Sequence, residues 1–232
     1  SATISREVMD ISWVYQRDPV EITVRADQEN KPDILQYRLE VERNRKVDTM
    51  VRLMELGGYD RVIAFCNTKN MTDRLSGLLR MRGVTCEAIH GDIQQRVREK
   101  TLQRFRNGEL RVLVATDVAA RGLDIDDVDA VFNYDVPDEN EYYIHRIGRT
   151  ARANADGVAI TFVCEPEQGK FHKIEEFIEK DIYKIPLPPT VGPGPVYNPQ
   201  AFERRPRGKF KNNRPGRKRP YTRKKNFNKP EN

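Results

Sequence analysis

The chain is 232 residues long, with 41 lysines and arginines against 35 aspartates and glutamates and a formal net charge of +6. That surplus is local: residues 191–232 carry thirteen cations and two acids, while residues 1–190 carry 28 and 33, so a basic tail follows a mildly acidic body of domain size. No run of 18 or more apolar residues and no charged-then-apolar leader is present, which argues against a membrane-embedded or secreted chain. Three cysteines without C-x-x-C spacing (Cys66, Cys86, Cys164) argue against a disulfide framework or zinc site and for a cytoplasmic, reducing compartment.

In chain order, Ser1-Ala2-Thr3 leads through Asp18-Pro19 into a short β-like run over 20–24, and the polar stretch 26–33 with Pro32 reads as a connector. Tyr37, Leu39 and Val41 alternate with polar residues, which predicts a strand. Val47, Val51, Leu53, Met54 and Leu56 follow helical spacing, and Gly57-Gly58 is a stop signal. A unit then repeats: a short apolar run, a polar hinge, a helical pattern. The runs are 62–65, 86–89, 112–115 and 130–132, with 157–163 closing the set. Helices are predicted to about Arg82, from Gln94 to Phe105, through Glu141–Arg152 and from Glu165 to Lys180. Continuous apolar strands alternating with helices predict a parallel sheet covered on both faces, joined by right-handed crossovers. Beyond Ile182, Leu187-Pro188-Pro189 and Gly192-Pro193-Gly194-Pro195 have the chemistry of a linker. The aromatics that follow are scattered among cations, so the expected division is connector 1–30, α/β domain 31–185 and disordered basic tail 186–232.

In an open parallel sheet, ligands meet the carboxyl ends of the strands. There the sequence places Asn67-Thr68-Lys69, His90-Gly91-Asp92 and Thr116-Asp117. Asp92 with Gln95 three residues on resembles a capping box; beside it Gly91 allows close approach of a phosphate, and Arg98 lies one turn in. In T-D-V-A-A-R-G-L-D-I, Thr116, Asp117, Arg121 and Asp124 crowd polar groups beside a buried strand, where an acid near a nucleotide would take ribose hydroxyls; the plain alternative is a salt-bridge set such as Asp117 with Arg121. If Glu141–Arg152 is helical throughout, His145, Arg149 and Arg152 fall within about 60° of one another. Two guanidinium forks on one face suit the spread charge of a transferring phosphoryl group, the alternative being a solvated helix face.

The order V-I-A-F-C-N-T-K, H-G-D-I-Q-Q-R-V-R, A-T-D-V-A-A-R-G-L-D-I, H-R-I-G-R-T-A-R resembles the second RecA-like domain of a DEAD-box RNA helicase, over residues 1 to about 185. The resemblance implies that Arg152 is the arginine finger with Arg149 beside it at the γ-phosphate. By the same likeness His145 communicates with carboxylates of the first lobe, and Asp124 holds the ribose. It implies RNA-backbone contacts at Thr68, Gly91, Gln95, Arg98 and Thr116, and a coupling role for Ser1 and Thr3, which resemble the S-A-T motif. Ala151 stands where the family more often has Gly, and Gln94 where Pro is frequent. The implied cofactors are ATP and Mg2+, held mainly by a first lobe. The sequence contains no G-x-x-x-x-G-K-[ST] loop and no D-E-A-D, so this chain by itself is expected neither to hydrolyse ATP nor to unwind RNA. Implied partners are single-stranded or duplex RNA, the N-terminal lobe, and ribosomal or RNA-decay proteins, with the basic tail as a further RNA anchor. Two competing readings are a non-catalytic RNA- or protein-docking module and a DNA translocase lobe; the H-R-I-G-R-T-x-R form argues against the latter.

Overall fold

Among the described residues, the apolar runs at 62–65, 86–89, 112–115, 130–132 and 157–163 each become a strand of one sheet. A computed structural model describes residues 34–121, 123, 125, 128–150 and 157–203. Its strands are β1 (Ile34–Glu40), β2 (Val62–Phe65), β3 (Cys86–Ile89), β4 (Val112–Ala115), β5 (Ala130–Asn133), β6 (Gly157–Val163) and β7 (Tyr183–Lys184). Between them run α1 (Lys46–Gly57), α2 (Lys69–Arg80), α3 (Gln95–Arg106), α4 (Asp117–Ala120), α5 (Asn140–Ile147) and α6 (Gln168–Phe177). All pairings are parallel, in the order β3-β4-β2-β5-β6-β1-β7. The period-2 geometry of a strand sorts neighbours to opposite faces. Val62, Ala64, Val112 and Val114 pack with α1 and α2, whereas Ile63, Phe65, Leu113 and Ala115 pack with α3, α5 and α6. This is the RecA-like architecture expected from the sequence.

Local signals behave as their chemistry requires. Gly58 takes φ +63° and ends α1 by the left-handed cap that Gly57-Gly58 announces. Two expectations need correction. The strand written as starting at Tyr37 begins at Ile34. The capping box on Asp92 does not form: α3 starts at Gln95 with Gln94 as an N-cap that makes no side-chain bond, and Asp92 instead pairs with Lys69 at 2.6 Å.

The larger difference lies beyond Ile182, where composition placed a departing tail from residue 186. Tyr183–Lys184 adds a seventh strand beside β1, and the chain stays on the lobe through Asn198. Ile185 and Leu187 pack on the α1 side. Arg45 Nη1 donates to the Val191 carbonyl (2.6 Å), and Gln168 Nε2 donates to that of Val196 (2.8 Å). Tyr197 lies under the Arg38 guanidinium, 4.0 Å from its centre, and donates its hydroxyl to Glu175 (2.7 Å). Gly194 runs so close to β1 that a Cβ there would sit 2.0 Å from the Glu40 carbonyl oxygen. Proline and glycine exclude helix from this segment, yet an extended chain can be held by side-chain donors, and β7 is too short to cover the outer edge of β1 alone. The connector expected over 1–30, with its run at 20–24, and the expected disorder of 204–232 lie outside the described residues.

Candidate functional site at the carboxyl edge of the sheet

Because every strand is parallel, the loops after β3, β4, β2, β5 and β6 line one edge in that order. The centre of that edge is a residue the sequence reading passed over. Helix α5 turns Tyr143, Arg146 and Ile147 inward, at i, i+3 and i+4, which leaves Arg146 only 1 % exposed. A guanidinium at that depth requires a counter-ion and filled donors. Asp117 supplies a two-pronged carboxylate (2.6 Å to Nε, 2.8 Å to Nη2), while Nη2 also donates to Asn67 Oδ1 (2.8 Å) and Nη1 to the Asp135 carbonyl (2.7 Å). The face of Phe65 lies 5.3 Å below. One side chain thus ties together the ends of β2, β4 and β5. The Asp117–Arg121 pair given as the plain alternative does not form, because Asp117 is committed to Arg146, and Arg121 instead lies over the Tyr142 ring at 4.9 Å. The signal in the sequence was an arginine between two inward apolar positions of an amphipathic helix.

The helix written over Glu141–Arg152 is also shorter than expected. It ends at Ile147, where Gly148, a poor helix former, donates its N–H to the Ile144 carbonyl (3.0 Å) and the chain turns. His145 therefore sits on the last turn and Arg149 beyond it, so they do not share a helical stripe; Arg152 lies outside the described residues. Arg149 is placed by tertiary contact: its Nη1 donates to the Leu123 carbonyl (3.1 Å), and Thr150 Oγ1 donates to that of Val128 (2.7 Å). The turn after α5 is thereby pinned to Leu123 and Val128; Asp124 lies outside the described residues. Phe65, Asp117, Arg121, Tyr142, His145 and Arg149 line a shallow pocket around this junction.

On the other half of the edge, Thr68 and Thr116 are N-caps, their hydroxyls accepting from Met71 N (3.2 Å) and Ala119 N (3.4 Å). Gly91 has no positive φ, and a Cβ on it would meet nothing within 4 Å, so the lobe itself makes no demand for glycine there. The loop holding it is tied to α2 twice, by Lys69–Asp92 and by His90 Nε2 with Asp73 Oδ1 (3.0 Å). The Lys69 hydrogen bond keeps the Asp92 carboxyl below its usual pKa. In the first two turns of α3, Gln95 donates to Glu99 (2.8 Å) and Arg98 reaches the Ala119 carbonyl, joining α3 to α4. Thr68, Gly91 and Thr116 thus follow three neighbouring strands, with Gln95 and Arg98 alongside, while Ser1 and Thr3 lie outside the described residues. Among the described residues no group of three or more His, Cys, Asp or Glu could hold a metal ion.

A family model described as the helicase conserved C-terminal domain matches residues 45–154. The chain is 41 % identical over 191 residues to the DEAD-box ATP-dependent RNA helicase CshA of Geobacillus kaustophilus (strain HTA426), covering 82 % of this chain and 41 % of that protein. Against CshA of Bacillus subtilis (strain 168) it is 39 % identical over 188 residues, 81 % of this chain and 38 % of that one. The chain therefore spans about two fifths of the length of these curated relatives. Among solved structures, E. coli DEAD-box protein SrmB bound to regulator of ribonuclease activity A (RraA) aligns with TM-score 0.66 and 34 % identity, covering 71 % of this chain and 98 % of that one. S. cerevisiae Dbp5 bound to RNA and ADP BeF3 aligns with TM-score 0.70 and 30 % identity, over 80 % of this chain and 50 % of that one.

Proposed function

The chain belongs to the DEAD-box family, as the C-terminal RecA-like lobe of a DEAD-box RNA helicase, and from that premise we propose that it works by closing with an N-terminal lobe over ATP and one strand of RNA. Arg149 and Arg152 then meet the γ-phosphate, His145 faces the first lobe's carboxylates, and Asp124 takes the ribose. The backbone of the RNA lies along Thr68, Gly91, Thr116, Gln95 and Arg98, while Ser1 and Thr3 couple the two lobes. Relatives named as ATP-dependent RNA helicases support this reading, as does the capture of Dbp5 with RNA and ADP BeF3. The observation that supports it is the bond from Arg149 to the Leu123 carbonyl, which ties the turn after α5 to the loop after α4 across 26 residues of sequence, at the same edge as Thr68 and Thr116.

Fixed guanidinium groups stabilise charge spreading over phosphoryl oxygens without having to reorganise, and closure excludes water from the cleft. The network around Arg146 keeps the strand ends rigid while Arg149 does this. Mg2+ neutralises phosphate charge when bound; the described residues offer no ligand set for it, so we assign its binding to the first lobe. Bending of one RNA strand on closure would strip its partner locally, and reopening after hydrolysis would release it. Residues 204–232, outside the described residues, add cations with interspersed aromatics suited to phosphates and single-stranded bases. No helix among the described residues is long and apolar enough to cross a membrane, and we place the protein in the cytoplasm.

The test is Arg149→Ala in the two-lobe protein. RNA-stimulated ATP turnover is expected to fall by about 10²- to 10³-fold with RNA affinity retained, and the isolated lobe is expected to show no turnover. An unchanged rate in the variant removes Arg149 from the site.

A further inference from the structure

The junction between β5 and α5 is held in an unusual way. Three consecutive carbonyls each accept from a side chain: that of Tyr134 from Lys46 Nζ (2.7 Å), that of Asp135 from Arg146 Nη1 (2.7 Å), and that of Val136 from Asn67 Nδ2 (2.8 Å) and Lys170 Nζ (2.7 Å). The Asn67 N–H also donates to Asp135 Oδ2 (3.2 Å). Arg146 and Lys46 approach this segment from opposite faces of the sheet, because α5 packs on one side and α1 on the other.

Lys46 is the stranger of the two. Lysine is almost never fully buried, yet this one is 2 % exposed. Its ammonium lies 3.0 Å from Glu167 Oε2, 3.8 Å from Asp135 Oδ1 and 5.2 Å from the centre of the Tyr134 ring. Burial works against its charge, but Glu167, Cys164 and Asp135 outweigh that and hold its pKa above the usual lysine value. A buried ion pair of this kind can often be replaced by apolar residues without loss of stability. An apolar residue could not, however, donate to the Tyr134 carbonyl.

We propose that Lys46 is a positioning residue for the ATP site: from the far face of the sheet it fixes residues 134–136, on which α5 is mounted, and so sets where His145 and Arg149 stand. This rests on the reading of Arg149 given above. Lys46 touches neither nucleotide nor RNA; it acts through the mount.

The experiment compares Lys46→Met, Lys46→Gln and the double variant Lys46→Met/Glu167→Gln in the two-lobe protein, by thermal midpoint, RNA affinity, and kcat and KM for ATP. Lys46→Met should lower the midpoint, since it strands the Glu167 charge. The double variant should recover most of the midpoint while kcat stays down by about 10- to 100-fold with KM for ATP little changed, as expected of a misplaced catalytic group. Lys46→Gln, which keeps an N–H donor, should hold more kcat than Lys46→Met. Recovery of kcat in step with the midpoint, or full kcat in Lys46→Met, overturns the proposal. Absence of RNA-stimulated turnover in the unsubstituted protein is a separate result: it defeats the helicase reading itself, and the proposal with it.

Discussion

Two arginines three residues apart meet opposite fates at this site. Arg146 falls on the inward stripe of α5 and is spent on Asp117, Asn67 and the Asp135 carbonyl, whereas Arg149 follows the last helical turn, lines the shallow pocket and donates to the Leu123 carbonyl. Position relative to a helix end, not residue type, decides whether an arginine is buried on the inward stripe of α5 or stands on the turn beyond it. Gly91 makes the same point in reverse. Its backbone conformation and surroundings would accept alanine, so its lack of a side chain matters only to something arriving from outside. Gly91→Ala is therefore expected to leave the free energy of unfolding unchanged or raise it by about 0.4–1 kcal/mol through the unfolded chain. RNA affinity, measured by fluorescence anisotropy, should drop about tenfold, the cost of one charge-assisted hydrogen bond to phosphate. Unchanged affinity would take Gly91 off the RNA path.

At the scale of elements, the segment after β7 behaves as a strap. It crosses from the α1 side, where Leu187 packs, to the α6 side, where Tyr197 packs, and covers the rim of β1 on the way. Below it, Glu175 is shared by Arg38, the Ile182 N–H and the Tyr197 hydroxyl. Taking the strap away leaves Glu175 short of a donor and β1 with an open edge. A chain ending after Glu203 should keep the urea midpoint of the whole protein, and one ending after Ile185 should lose about 1–3 kcal/mol. Gly194→Val, which drives a side chain into the Glu40 carbonyl, should reproduce much of that loss in the complete chain. Equal midpoints for the two truncations would mean that the strap contributes nothing to the lobe.

Among the described residues, the thiols and phenols with shifted pKa values all move the same way. Burial pushes the thiol of Cys66 well up, raises that of Cys86, and lifts that of Cys164 to about 11; Tyr59, Tyr134, Tyr143 and Tyr197 are raised for the same reason. In the unfolded chain a thiol loses its proton at about pH 8.5. Between that value and the folded one the native state binds more protons, so stability is full below about pH 8.5 and falls as pH rises from there, with the tyrosines adding to the loss above about pH 10. Urea midpoints at pH 7, 9 and 10 should decline in that order, and Cys164→Ala should flatten the slope. A flat profile would show that the thiols gain no such shift on folding.

Much of the fold and part of the site could be read from residues near one another in the chain. Val62–Phe65, Val112–Ala115 and the other short apolar runs had to be doubly covered strands, Gly58 had to end a helix, and the hinges bearing Thr68, Gly91 and Thr116 had to share one rim once the strands were parallel. These follow from periods of two and 3.6 residues and from the conformational limits of single residues, which act within a few positions. The sequence could not disclose that Arg146 would take Asp117 from Arg121, that a lysine at residue 46 would reach the carbonyl of Tyr134, or that a stretch rich in proline and glycine would bind back along β1. Each depends on a partner distant in the chain, and a buried charge or an uncovered strand edge settles on the donor or acceptor that packing brings within reach, which spacing along the chain does not encode.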